Sequence, residues 1–206
     1  SKTDYVTDSS VDIDNRFEDG KIIHKVVLTR KHNGGDHEHG FYNRENPAYV
    51  RVLIPEDAEL INVRGNDPTD FKPLLNYALQ PDFQRDRDLV KFESTFNSSG
   101  FDGVSSFEEN GLSGQKKQGI GFWLKVGPGQ KKTVEIEYSV PFRGKEYDFY
   151  FQKQPGMDWG RFVFRTDNIG RDAEMKTSGD KVGRTGDEYF IDQELRKDME
   201  IKIKFK

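Results

Sequence analysis

Asp36-His37-Glu38-His39 sets two imidazoles and two carboxylates side by side, the side chains that ligate Zn²⁺ or another divalent ion. A His-x-His pair supplies only part of a tetrahedral set, and His24 and His32 are the only other histidines. Asp36, His37 and His39 are therefore the metal candidates, and a solvated polar loop is the plainer reading. Two acidic sets, Asp8, Asp12, Asp14 with Asp19 and Asp82, Asp86 with Asp88, raise the question of calcium, which needs roughly six to eight converging oxygens. Neither set follows the Asp-x-[Asp/Asn]-x-[Asp/Asn]-Gly loop. Asp12 and Asp14 alternate with Val11 and Ile13 as the outward face of a strand, and Arg85 and Arg87 are interleaved with the second set. Trp123, Trp159 and the tyrosines carry the flat faces on which sugars stack. Trp123 alternates against Phe122 and Leu124, which makes it the carbohydrate-binding candidate, with a covered aromatic as the plainer reading. Asn97-Ser98-Ser99 is an N-glycosylation sequon, relevant in a host that glycosylates.

Catalytic chemistry has no comparable foothold. The chain contains no Gly-x-Ser-x-Gly elbow and no Gly-x-x-x-x-Gly-Lys-[Ser/Thr] phosphate loop. Its 36 acidic residues single out no pair for glycoside hydrolysis. There are no cysteines, so disulfides, thiol nucleophiles and zinc–thiolate sites are excluded. No catalytic residue can be named, no cofactor is implied, and the expectation is a non-enzymatic protein. A net charge of −4 withholds the basic face that a nucleic-acid binder needs. No apolar run approaches the roughly 18 residues of a membrane helix. The opening SKTDYVTDSS has neither an initiator Met nor the pattern of a signal peptide, which suggests a processed or truncated product whose anchor lies upstream.

The elements that must position these residues read as strands. Only 33% of the 206 residues are apolar and another 33% are charged, yet 16 Phe, 8 Tyr and 2 Trp can build a core. Val11, Ile13 and Phe17 alternate with Asp12, Asp14 and Arg16, then Glu18-Asp19-Gly20 turns the chain into Ile22, Ile23, Val26, Val27 and Leu28, a hairpin over 9–30. Strands are expected at 48–54 and 58–63, with Pro55 closing the first or lying at an edge. The clearest unit is 119–141: Ile120, Phe122, Leu124 and Val126, a Gly127-Pro128-Gly129 turn, then Val134, Ile136, Tyr138 and Val140 alternating with polar residues up to Pro141. Further strands are expected at 90–96, 145–151, 160–165, 187–192 and 199–205. A short helix is expected at 74–79 after Pro73, and long polar loops at 31–47, 97–118 and 166–186. This is an all-β fold of about ten to twelve short strands with little helix, a β-sandwich that is Ig-like or built of two packed antiparallel sheets. Residues 1–141 read as the sandwich domain, and 142–206 as strands that complete it or form a small second β subdomain.

The order of certain pieces resembles a known family. They are Asp19-Gly20, His32-Asn33-Gly34, Tyr42-Asn43 and Tyr49-Val50-Arg51-Val52-Leu53-Ile54-Pro55, then Phe122-Trp123 with Val126-x-Pro128-Gly129, Val134-Glu135-Ile136-Glu137-Tyr138-x-x-Pro141 and Lys153-Gln154-Pro155-Gly156. Over residues 10–165 the set is similar to the C-terminal β-rich part of the bacterial envelope domain-of-unknown-function family four-zero-one-two, met in Gram-positive and candidate-phyla bacteria. The resemblance implies an upstream membrane helix and a larger extracytoplasmic region, with no established activity and no site residue to carry over.

These readings converge on a non-enzymatic extracytoplasmic β-sandwich module of a bacterial cell-surface protein, acting in adhesion, surface assembly or display. The alternative is a carbohydrate-binding module on cell-wall glycan, stabilised by calcium. The expected partners are a protein or cell-wall glycan at the cell surface, or further copies of the chain paired through strand edges. Nucleic acid is not expected, and a membrane only through an upstream anchor. The expected location is extracellular or at the cell surface.

Overall fold

A computed structural model describes residues 2–18, 20–68, 76, 79–93, 97–110, 114, 116–154, 159–167, 169, 172–179 and 181–205, leaving aside the side chains of Leu89, Phe92, Glu93, Asn97 and Trp159. The fold is all-β. The described strands are β1 (Thr7–Glu18), β2 (Lys21–His32), β3 (Asn46–Pro55), β4 (Glu59–Arg64), β5 (Asn97–Ser98), β6 (Val104–Asn110) and β7 (Lys116–Val126). They continue with β8 (Lys131–Pro141), β9 (Glu146–Phe151), β10 (Trp159–Asp167), β11 (Glu174–Thr177), β12 (Gly183–Thr185), β13 (Glu188–Glu194) and β14 (Met199–Lys204). One short helix, α1 (Arg87–Glu93), interrupts them, and no described helix is long and apolar enough to cross a membrane.

The chain divides into two compact units, the first made of Ser1–Ala48, Asp57–Gly65 and Lys125–Lys206 and the second of Tyr49–Glu56 and Asn66–Leu124. The first unit is a sandwich. A seven-stranded sheet in the order β12-β13-β10-β1-β2-β8-β4 carries a three-stranded sheet in the order β11-β14-β9. Period-2 alternation explains why these segments are strands. Val11 and Ile13 on β1, Ile22, Val26 and Leu28 on β2, and Val134, Ile136 and Tyr138 on β8 are buried, and their neighbours along the strand are more open. On β14, Met199, Ile201 and Ile203 are buried while Glu200, Lys202 and Lys204 face out, where Lys204 pairs with Glu146 at 2.8 Å and Lys202 with Asp148 at 3.7 Å. The layers meet through rings: Phe149 lies 5.1 Å from Phe164, Phe151 lies 5.2 Å from Phe162, and Phe17 lies 5.1 Å from Phe205.

The turn between β1 and β2 closes at Gly20, whose φ of +78° only glycine adopts freely. β8 ends at Pro141 and β3 ends at Pro55, with β3 outermost in its sheet. β1 and β10 run parallel, with Ile13 opposite Phe164. A parallel neighbour needs a crossover, and the chain supplies one by leaving β8, passing through β9 of the other layer and returning as β10. Strands from 142–206 join both sheets of the first unit, and the boundaries between compact units fall at 48, 56, 65 and 124.

The second unit holds the four-stranded sheet β3-β7-β6-β5 over buried Ile54, Val104, Phe107, Ile120, Phe122 and Leu124. Gly119 lets the Phe107 ring lie directly on β7, since a Cβ there would sit 2.0 Å from that ring. Three expectations are corrected here and in the first unit. The strand expected at 90–96 is in its described part the helix α1, because the Asp86 carboxylate accepts the Asp88 N–H at 2.8 Å and caps the helix start. The loop expected at 97–118 contains β5, β6 and the beginning of β7, and the loop at 166–186 contains β11 and β12. The helix expected at 74–79 lies outside the described residues.

Candidate functional site

Where β2 ends at His32, the chain enters the segment 33–45 that carries the imidazole and carboxylate motif. His32 is fully buried and ties this segment down. Its Nε2–H donates to the Arg44 carbonyl at 2.8 Å, and its Nδ1 accepts the Gly34 N–H at 3.0 Å. Both ring nitrogens are satisfied, which fixes one neutral tautomer. Gly34 must be glycine because a Cβ would lie 2.1 Å from the Tyr42 carbonyl oxygen and 2.7 Å from the His32 ring.

Asn43 closes the loop from the other side. Its Oδ1 accepts the N–H groups of Gly35 and His37, each at 2.9 Å, and its Nδ2 donates to the His37 carbonyl at 2.7 Å. The His39 N–H then donates to His37 Nδ1 at 3.1 Å, and a 3₁₀ turn over Gly40–Asn43 follows. Asn43→Ala removes one side chain and three hydrogen bonds. The expected result is a loss of about 1–3 kcal/mol in denaturant unfolding, with faster amide exchange across 33–45.

This bracing displays rings. His37 packs edge-on against Tyr42 at 4.6 Å, His39 stacks on Phe41 at 5.5 Å with a 3° interplanar angle, and Phe41 and Tyr42 lie 4.3 Å apart. Tyr5 arrives from the 3₁₀ turn Lys2–Val6 and stacks on Tyr42 at 5.6 Å and 29°. Beneath it, the buried Arg30 guanidinium pairs with Asp4 at 2.7 Å, and Asn46 Nδ2 donates to Thr3 Oγ1 at 2.8 Å and to Asp4 at 3.0 Å. The turn is pinned from below, yet Tyr5 is 82% exposed and Phe41 44% exposed. These aromatic faces are held in place by polar bonds, so they need little ordering to be met by another molecule.

The residues singled out from sequence fall as follows. His37 and His39 lie side by side, 5.5 Å between ring centroids, as members of this aromatic cluster, and Glu38 reaches His39 Nε2 at 3.5 Å. Among the described residues, no group of three His, Asp or Glu side chains is placed to hold a metal ion, so Asp36, His37 and His39 do not form a ligand set. Asp8 accepts the Asn33 amide at 2.7 Å, and Asp12 and Asp14 pair with Arg165 at 3.3 and 2.6 Å. Asp86 is spent on the helix cap. Asp19 and the Trp159 side chain lie outside the described residues. Trp123 is half-buried against Tyr49, 5.2 Å between rings, on the face of β7 opposite Phe122 and Leu124. It does not offer an open face of the kind Tyr5 does. Tyr5 and Tyr42 were among the tyrosines weighed for a carbohydrate platform but were not singled out, and Phe41 went unnoticed, although aromatic residues between Gly40 and Asn43, outside any alternation, were a signal that they do not belong to the core.

No family profile and no curated protein matches this chain. Among solved structures, a Legionella pneumophila protein described as a "putative nutrient binding protein" aligns with a TM-score of 0.50 at 12% identity, over 96% of this chain and 67% of the other. The likeness is one of fold. An M1 zinc metallopeptidase from Deinococcus radiodurans aligns at a TM-score of 0.34 and 11% identity, over 96% of this chain and 41% of the enzyme.

Proposed function

We propose that this chain is a non-enzymatic, extracytoplasmic β-sandwich module of a bacterial surface protein and that it works by recognition through the aromatic surface of segment 33–45 and Tyr5. The observation that carries this reading is the bracing of exposed rings by hydrogen bonds from the buried His32 and the half-buried Asn43. Rings that served only to fill a core would not need such bracing at the surface. The buried ionisable groups support the same reading, because they have structural duties: Arg30 pins the first turn, His32 anchors the loop, and His24 lies between the two sheets. The ordered pieces that resemble an envelope-protein family support the extracytoplasmic placement.

Purified protein should co-sediment saturably with envelopes isolated from the organism that encodes it, and remain in the supernatant with envelopes of an unrelated bacterium. Equal partition between the two, or no sedimentation with either, would overturn the reading.

A further inference from the structure

We infer that the ligand of this surface is a carbohydrate, a neutral glycan whose C–H face lies on Tyr5 and whose hydroxyls meet the polar groups around it; the inference rests on the recognition role proposed above. Tyr5 has one ring face backed by Tyr42 at 5.6 Å and is 82% exposed, which leaves the other face open on a support that does not need to be ordered on binding. A pyranose presents a patch of weakly positive C–H groups, the complement of the negative face of an aromatic ring. A phenol ring adds rigid contact area at little conformational cost.

The rim fits hydroxyl groups. Each sugar hydroxyl both donates and accepts, and the rim offers both kinds of partner: the His37 and His39 imidazoles, the exposed Glu38 carboxylate 3.5 Å from His39, and the Lys2 ammonium 5.6 Å over the Phe41 ring. The rim carries both an ammonium, on Lys2, and a carboxylate, on Glu38, and a neutral polyol matches it better than a polyanion.

The same features count against the other occupants of an aromatic surface. Single-stranded nucleic acid would stack on such rings but requires a positive groove along its backbone. Here the Glu38 carboxylate stands by His39 and Asp4 adjoins Tyr5, with Lys2 over Phe41, in a chain of net charge −4. A stable protein interface takes about 20–30 residues a side. The apolar part of this surface is three rings, Tyr5, Phe41 and Tyr42, edged at once by polar groups.

The test is affinity electrophoresis of the full chain in native gels. The gels contain laminarin, xylan, galactomannan, amylose or the protease-treated, delipidated glycan of the source envelopes. Retardation by at least one of these is expected, with affinity lowered at least tenfold by Tyr5→Ala and by Phe41→Ala and largely kept by Tyr5→Phe. Tyr150→Ala, which removes an exposed ring from β9 instead, should leave retardation unchanged. Because Tyr5 and Phe41 are exposed, both variants should keep the wild-type melting temperature. No retardation in any gel would overturn the inference, as would retardation that survives both substitutions. Envelope co-sedimentation separates the two claims. Binding that persists with glycan-stripped envelopes sinks the carbohydrate and leaves the recognition role standing, and loss of all envelope binding sinks the recognition role itself.

Discussion

Phe164→Ala is expected to destabilise the sandwich by about 3–5 kcal/mol, the largest effect of any single truncation proposed here. Phe164 is fully buried on β10, an interior strand flanked by β1 and β13. Within the sheet it sits opposite Ile13 on one side and Ile191 on the other, and across the sandwich its ring lies 5.1 Å from Phe149 on β9. Truncation therefore opens a cavity lined by two sheets, and neither can move inward without breaking ladder pairs on both sides of β10. Domains of this size carry about 5–15 kcal/mol in total, so the variant should be close to unfolded at physiological temperature. Urea titration would show the loss as a lower midpoint with an unchanged slope. A cost under about 1 kcal/mol would mean that the layers do not meet at Phe164. Ile61→Ala, at an exposed position of β4, is the control, and should fall within about 0.5 kcal/mol of the parent.

How much of this was readable in the residues depends on where burial repeats every second position. β1, β7, β8 and β14 have one face on the core, so their alternation was visible, as were the continuous apolar run of β2, the turn at Gly20 and the strand ends at Pro55 and Pro141. β6 has no such pattern: only Val104 and Phe107 are buried, three positions apart, and what makes the segment a strand is its pairing with β7. The apolar residues of α1 fit a short strand as well as a short helix, and the cap at Asp86 that decides between them is a single hydrogen bond. The parallel β1–β10 pair joins residues about 150 positions apart in the chain, and no local pattern encodes it. The aromatic surface around Tyr5 was half legible. The motif around His37 and His39 suggested metal ligands from its imidazoles and carboxylates, whereas in the fold these rings pack on Phe41 and Tyr42. Tyr5 joins only because Arg30 and Asn46, far along the chain, fix the turn that carries it.

The sandwich should also lose about 3 kcal/mol between pH 7 and pH 4 through a single side chain, His24. It is 1% exposed, with its ring 4.7 Å from that of Tyr138 on β8 and 5.9 Å from that of Tyr147 on β9. Its Nδ1–H donates to Asn15 Oδ1 at 2.5 Å, while Asn15 Nδ2 donates to the Arg165 carbonyl at 2.8 Å, so the neutral ring is wired into β1 and β10. Burial pushes the imidazolium form out of reach and lowers the pKa from 6.5 to about 4. The unfolded chain binds the proton near pH 6.5 and the folded one only near pH 4. The stability is therefore complete above the unfolded value and drains away as the pH falls toward the folded one. Chemical denaturation at intervals across this range should show that slope, and His24→Phe should flatten it whatever the variant's stability at pH 7. The comparison isolates the histidine, because carboxylates elsewhere titrate in both proteins alike. Equal slopes would mean that His24 takes up its proton in the folded state as readily as in water, and that the sheets do not close over it. A slope confined to the parent would make the packing of Tyr138 and Tyr147 over His24 the acid-sensitive joint between the two layers.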